Sequence, residues 1–392
     1  MVAPQLRVAD SPAAAVLRAA VTQGALSRDA VARATGLSIA TVNRQVAALI
    51  EAGLLRERAD LAESGAVGRP RIPIEVNHDP YLTIGIHVGA TTTGIVASDL
   101  RGRILGGIEI PTPTAGSVAA VRAIAQSAVA FADRWRRTPL WVGVALGGRV
   151  DATSGVVDHP RLGWESVPVG EVVADVVGLP VSVSAHVEAM AAAELLLAPA
   201  GHTGAGSTLY LYARETAGVA IALDGKVHTP NGGPGSITHL PTGSGVACDC
   251  GRRGCLEATI GDRGVVAQAV ERGIVSPATA SIAVVHAAAR DGGPAHELLV
   301  ERAEFLGHTV ATLHDLLNPD RVILGGQAFT GYPPALPNVA SAFAKVSTLA
   351  RREIRVSGFG NRVQAHAAGV TSLSALYADP IAGMRRSRPV SG

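Results

Sequence analysis

At 392 residues the chain has room for two or three domains, and with 47% hydrophobic residues it can bury a large core; aromatics make up only 3%, so Ala, Val, Leu and Ile must fill it. A formal net charge of +2 excludes a polybasic, histone-like protein, but not a DNA-binding module that concentrates charge locally. There is no uncharged run of about 18 apolar residues and no charged-then-apolar leader with a cleavage site; the sequence therefore predicts no transmembrane helix, no signal peptide, no membrane partner and a cytoplasmic location.

Residues 1–78 differ in texture from the rest. Ala13–Gln23 reads as a helix with Val16, Leu17, Ala20 and Val21 on one face. Ser27 can cap a second helix that stops at Gly36, and Ser38 a third, Ile39–Ala52, that stops at Gly53. Leu54–Arg58 and Arg71–Val76 look like paired strands around a tip containing Gly65, Gly68, Arg69 and Pro70. From Tyr81 the pattern becomes α/β. Strands are expected at Thr83–Val88, Gly94–Asp99, Arg103–Ile110, Leu140–Leu146 and Pro180–Ser184, and helices at Val118–Arg136, Val169–Val177 and His186–Leu197. Strands at Thr208–Tyr212 and Gly218–Leu223 follow, with Asp224-Gly225 closing the next hairpin. A Gly-rich stretch runs from Asn231 to Gly254. Helices come next, then a strand at Arg321–Leu324 and a last helix near Ala368–Tyr377.

Two helices separated by a tight Gly-containing turn, followed by a β-hairpin, describe a winged helix-turn-helix. In the third helix Ile39, Val42, Val46 and Leu49 fall on one face, which is expected to pack inward. The opposite face presents Ala40, Arg44 and Ala48, flanked by Thr41 and Asn43. Small residues there admit the helix to a major groove. Arg44 can donate two hydrogen bonds to a guanine edge, and Thr41 and Asn43 can reach bases or phosphates. Ser38 at the helix start suits a phosphate contact, and Arg69 and Arg71 of the wing suit a narrow minor groove. Taken alone these arginines are ordinary solvated charges; the intact helix–turn–helix–wing order around them points to DNA. Nine arginines against seven carboxylates leave the module only slightly basic, so tight binding calls for a dimer on two half-sites.

The three cysteines fall within eight residues, Cys248, Cys250 and Cys255, which is a poor disulfide framework and a strong metal signal. With His239 they make a closed Cys₃His zinc set, structural because no position is left for water.

Here the sequence resembles the ROK family (repressors, open reading frames and kinases) in its NagC/XylR-like regulator branch. The resemblance rests on Cys248-Asp249-Cys250-Gly251-Arg252-Arg253-Gly254-Cys255-Leu256-Glu257, on His239 before it, on Leu162-Gly163-Trp164 through Gly178-Leu179-Pro180-Val181, and on Asn318-Pro319-Asp320 to Gly325-Gly326. It implies a two-lobed, actin-like α/β sugar-kinase domain with a ligand cleft, preceded by the winged module. The expected boundaries are 1–78 for the DNA-binding domain and 79–392 for the sensor, with a first lobe at about 79–195 plus the C-terminal helix and a second at about 196–360.

The departures from that pattern bear on activity. Kinases of the family open with Asp-x-Gly-Gly-Thr-Lys; here the stretch is His87-Val88-Gly89-Ala90-Thr91-Thr92, and an imidazole is a poor partner for Mg²⁺. The second phosphate loop, Gly-Thr-Gly in kinases, is Arg214-Glu215-Thr216. The catalytic Asn-Asp pair is Ala185-His186, which removes the base for the sugar hydroxyl. The Glu-x-Gly-His sugar motif is Ser236-Ile237-Thr238-His239. The resemblance leaves His239, Glu257 and Asn231 as ligand contacts, with His186 and Glu188 as replacement polar groups and Gly147-Gly148 as a facing loop. The expectation is therefore a transcriptional regulator, in the family's commoner habit a repressor, of carbohydrate-related genes. It would be a homodimer or homotetramer on a double-stranded operator, controlled by a sugar or sugar phosphate and devoid of kinase activity. Two other readings stay open: an active sugar kinase with an appended DNA-binding domain, and a regulator that no longer binds sugar.

Overall fold

A computed structural model describes residues 1–8, 11–62, 72–197, 206–230, 233–349 and 353–387. The N-terminal module consists of α1 (Pro12–Gln23), α2 (Arg28–Thr35) and α3 (Ile39–Glu51), followed by β1 (Leu55–Glu57) paired antiparallel with β2 (Ile74–Val76). Each helix starts on a serine whose hydroxyl accepts from the amide three residues on: Ser11 from Ala14, Ser27 from Ala30 and Ser38 from Thr41. Val16, Leu17, Ala20, Val31, Val42, Val46, Leu49, Leu54, Leu55, Ile74 and Val76 are buried. Leu26 exchanges both backbone hydrogen bonds with Ile74 at 2.8–2.9 Å, tying the turn between α1 and α2 to the wing.

Next come β3 (Tyr81–Val88), β4 (Thr92–Ser98), β5 (Ile104–Pro111), α4 (Ser117–Ala132) and β6 (Thr138–Leu146). A small antiparallel sheet follows, β7 (Arg149–Asp151), β8 (Val156–His159) and β9 (Trp164–Pro168), which sequence periodicity did not reveal because its strands are three to five residues long. Then come α5 (Val169–Val177), β10 (Val181–Ala185) and α6 (His186–Leu196). The main sheet has the order β10-β6-β3-β4-β5; β3, β6 and β10 run parallel, and β3-β4-β5 form an antiparallel meander.

The chain divides into two compact units. The first comprises residues 1–204, 225–233 and 364–392, so the winged module clusters with the first sheet; the second comprises 205–224 and 234–363. In the second unit β11 (Ser207–Ala213) pairs antiparallel with β12 (Ala217–Leu223). Asp224 and Gly225, at φ 48° and 74°, make the left-handed turn before β13 (Lys226–Val227). Four helices follow: α7 (Leu256–Ile260), α8 (Asp262–Glu271), α9 (Ile282–Ala288) and the 25-residue α10 (Gly293–Leu317). Parallel strands β14 (Arg321–Gly325) and β15 (Glu353–Val356) extend from β11, with α11 (Gln327–Thr330) and α12 (Leu336–Val346) between them.

The last described elements are α13 (Val363–Ala378) and α14 (Pro380–Ser387). Helix α13 lies directly on the first sheet because β3 and β6 present glycines to it. A Cβ on Gly85 would sit 2.5 Å from the Ala368 carbonyl carbon, and one on Gly143 would collide with the Ser372 backbone. Ser372 Oγ reaches Thr83 Oγ1 at 2.8 Å, and Ser184 Oγ meets Thr371 Oγ1 at 2.9 Å, so these four buried hydroxyls are satisfied. Among the described residues no helix is long and apolar enough to cross a membrane.

Candidate DNA face, metal centre and ligand site

On α3 the buried residues are Val42, Val46 and Leu49. Ile39, expected on the same inward face, is 45% exposed. It occupies the first helical position, before the helix has reached its packing partners. The outward stripe is Ala40, Asn43, Arg44 and Ala47, with Thr41 half-buried beside it; Ala48, expected there, is half-buried instead. The Ser38 hydroxyl accepts from Thr41 N at 3.2 Å and donates to Thr41 Oγ1 at 3.0 Å, so it caps the helix while remaining at the surface. Arg69 and Arg71 lie outside the described residues. The other wing arginines are occupied. Glu75, 4% exposed, receives Arg56 Nε at 2.7 Å, Arg58 Nη1 at 2.8 Å and Arg101 Nη2 at 3.2 Å. These guanidinium groups hold its carboxyl below the usual range against the opposing effect of burial. Arg101 belongs to the β4–β5 turn, so this buried carboxylate also fastens the wing to the first sheet.

A second attachment is made by α1. Arg18 Nη2 donates to the Leu195 carbonyl in the last turn of α6 at 2.8 Å. Burial lowers the Arg18 pKa. Its neighbours Leu17, Val21, Leu196 and Tyr377 line a small pocket.

In the second unit, the Gly-rich stretch brings His239, Cys248, Cys250 and Cys255 together, with all four ligand atoms within 4.8 Å of one another. Cys250 Sγ lies 3.6 Å from Cys255 Sγ, and Cys248 Sγ lies 3.8 Å from His239 Nδ1. A tetrahedral zinc with sulfur at about 2.3 Å requires sulfurs roughly 3.8 Å apart, so the donor set and its spacing fit that ion. A hydrogen bond from Arg252 holds the Cys250 thiol down to about 6, which favours the thiolate that a metal needs. Glu257 follows in the first turn of α7. Its Oε2 accepts from Ala217 N at 3.2 Å, and its amide donates to Thr238 O, which sets it beside His239. Asn231 lies outside the described residues. The Arg214-Glu215-Thr216 loop is closed by Arg214 N donating to Thr216 O, and Asp262 N donates to Arg214 O. Asp262 is itself bound by the buried Arg302 at 2.6 Å.

In the first unit, His186 opens α6 and stacks on His87 of β3, with ring centroids 5.8 Å apart and planes 14° apart. A third imidazole, His159 at the end of β8, joins them. A Cβ on Gly147 would lie 3.2 Å from His159 Nε2 and 3.8 Å from His186 Cε1. Sequence reasoning missed His159, because nothing local marks it and only the small β7–β9 sheet carries it to Gly147. Burial lowers the His186 pKa to about 4, with His159 adding to the effect, and burial lowers that of His159 too. Glu188, two residues into α6, is 3% exposed, and burial pushes its carboxyl up to about 8.

The ROK family pattern matches residues 83–377, and a winged helix-turn-helix DNA-binding pattern matches residues 15–56. The chain belongs to the ROK family. It is 54% identical over 396 residues to Transcriptional regulator Rv0485 of Mycobacterium tuberculosis, an alignment covering 98% of this chain and 90% of that protein. The fold is similar to the crystal structure of a ROK family transcriptional regulator, a homologue of the E. coli MLC protein, with a TM-score of 0.77 and 22% identity over 96% of this chain and 97% of that one. A ROK family glucokinase from Streptomyces griseus, solved with glucose and AMPPNP, matches 74% of this chain and 99% of its own at a TM-score of 0.66 and 25% identity. This ROK protein is a transcriptional regulator: the curated regulator it matches is 54% identical over 98% of this chain, and the DNA-binding pattern precedes the ROK region.

Proposed function

We propose that this ROK protein binds a double-stranded operator through Ser38, Ala40, Thr41, Asn43 and Arg44, with Arg69 and Arg71 of the wing in the minor groove, and that a sugar-like effector controls that binding. The observation that carries the reading is α3 itself. It offers Asn43 and Arg44 on a stripe of alanines, while Arg56 and Arg58, the other basic groups of the wing base, are consumed by Glu75. Residues 1–78 serve as the DNA-binding domain and 79–392 as the sensor, and the working form is a cytoplasmic homodimer or homotetramer that meets two half-sites. Genome-wide mapping of bound DNA tests the reading. Arg44→Ala should lose its peaks while keeping wild-type thermal stability. Equal occupancy by both proteins would overturn it.

The effector contacts we assign are His186, Glu188, Asn231, His239 and Glu257. Helix α6 is the route to the DNA-binding module. It runs about 16 Å from His186 to Leu196, with one end at the histidine group and the other held by Arg18 of α1. A ligand that changes operator affinity by tens of fold needs only about 2 kcal/mol of differential binding to two states.

Phosphotransfer is not part of this function. His87 and His186 stand where ROK kinases resemble one another in carrying acids, and Arg214 sits 4.0 Å from Asp262 in the loop that would hold phosphates. ADP release with a panel of hexoses and ATP should stay at background. Zinc, held by His239, Cys248, Cys250 and Cys255, would fix the Gly-rich stretch structurally. Chelation should lower the unfolding temperature and release one equivalent of metal.

A further inference from the structure

Three imidazoles converge where the parallel strands of the first sheet end. His87 is the penultimate residue of β3, Gly147 follows β6, and His186 follows β10. Because the three strands run parallel, their C-terminal ends share one edge of the sheet. His159 arrives at the same edge from β8. It is 7% exposed, and its Nδ1 has no hydrogen-bond partner among the described residues. Gly147 lets His159 close in, since a side chain there would press on His159 Nε2 while making only ordinary contact with His186. The 11-residue helix α6 begins at His186 on Ala185, which gives it no side-chain cap. Its first amides therefore face the same region with the positive end of the helix dipole.

We propose that His87, His159 and His186, with the α6 N-terminus, form an oxyanion-binding site, and that the effector carries a phosphoryl group there. The inference rests on the effector reading above and sharpens it. A carboxylate at these positions would repel a phosphorylated ligand, whereas an imidazole can donate a hydrogen bond to it and, once protonated, neutralise it.

The electrostatic surroundings give the site a proton-linked signature. Without an anion, His186 and His159 are neutral at pH 7: burial and their own proximity disfavour the charged forms, and Arg161 acts on His159 in the same sense. The nearest carboxylate on β8, Asp158, is already held by Arg149 and by Ser166 N, and Glu188 on α6 is protonated at neutral pH. An oxyanion reverses the balance and draws a proton onto the rings. The complex therefore holds more protons than the free protein, and affinity rises as pH falls.

The test uses the full-length zinc-loaded protein and sulfate, whose own charge does not change between pH 6 and 8, alongside glucose 6-phosphate and glucose. Calorimetry in two buffers of different ionisation heat should show proton uptake with both anions. Sulfate should bind roughly three- to tenfold more tightly at pH 6 than at pH 8 and should compete with glucose 6-phosphate. His159→Gln and His186→Gln should each weaken sulfate by about tenfold. Imidazole NMR signals of the wild-type protein, which do not depend on the variants folding, should move on sulfate addition. Anion binding without proton uptake, affinity unchanged in folded variants, or no binding of either anion would overturn the inference. Binding of glucose alone, uncontested by sulfate, would overturn it too while leaving the effector reading intact. The DNA-binding reading is judged separately by Arg44→Ala.

Discussion

Glu75 illustrates how a single residue can decide which neighbours are available for function. A carboxylate 4% exposed in a β-strand would be costly alone, and three arginines converge to offset that cost. Their guanidinium groups are engaged within the protein, although by sequence Arg56 and Arg58 look no different from Arg44. Replacing Glu75 with Gln should cost about 2 kcal/mol, a figure reduced from that of a fully buried pair because the arginines stay partly in water. The sign of the pH effect follows from the lowered pKa: the stabilisation is fully present above the ordinary glutamate range and is lost as pH falls through the folded value. Denaturant titrations of wild type and Glu75→Gln should thus differ at pH 7 and converge in strong acid. Ser38 is the complementary case, since its cap is local. Ser38→Ala should cost about 1 kcal/mol by the same measurement, with the DNA stripe still in place.

Among the elements, α13 and the first sheet show what alternation alone does not reveal. Strands β3 and β6 read as apolar runs, yet their closest approach to a helix is made through Gly85 and Gly143. Backbone meets backbone there, so neither partner has a flexible side chain to yield. Gly85→Ala should destabilise the protein by about 1–3 kcal/mol through overpacking, measured as a lower denaturant midpoint. The short sheet β7–β9 is the element least visible in the sequence. Strands of three to five residues carry too few alternations to stand out, and the stretch holding His159 reads as a loop.

Across the molecule, the winged module shares a compact unit with the first sheet, and several polar attachments between them are identifiable. Glu75 reaches Arg101, Arg18 reaches Leu195, and Arg137 Nη1 donates to the His78 carbonyl at 2.7 Å. If α6 carries the effector's signal, Arg18→Met should preserve operator binding, which depends on α3, and reduce the effector's influence on it severalfold. Anisotropy titrations of a mapped operator fragment with and without glucose 6-phosphate measure both quantities. An undiminished response would remove α6 from the route.

The N-terminal helices, the main strands of both sheets and the cysteine cluster are readable from sequence because each is written locally. Serine caps, glycine stops, apolar periodicity and sulfur spacing lie within a few residues of the structure they specify. Cys248, Cys250, Cys255 and His239 span only 17 positions, and the geometry brings them to metal-binding distance. The histidine group around Gly147, the capture of Arg56 and Arg58 by Glu75, and the bond between Arg18 and Leu195 were decided by tertiary structure alone. That last pair is 177 residues apart in sequence. Such contacts depend on how elements pack, and packing is set by the summed burial of many side chains, so no local pattern announces which two distant residues will meet.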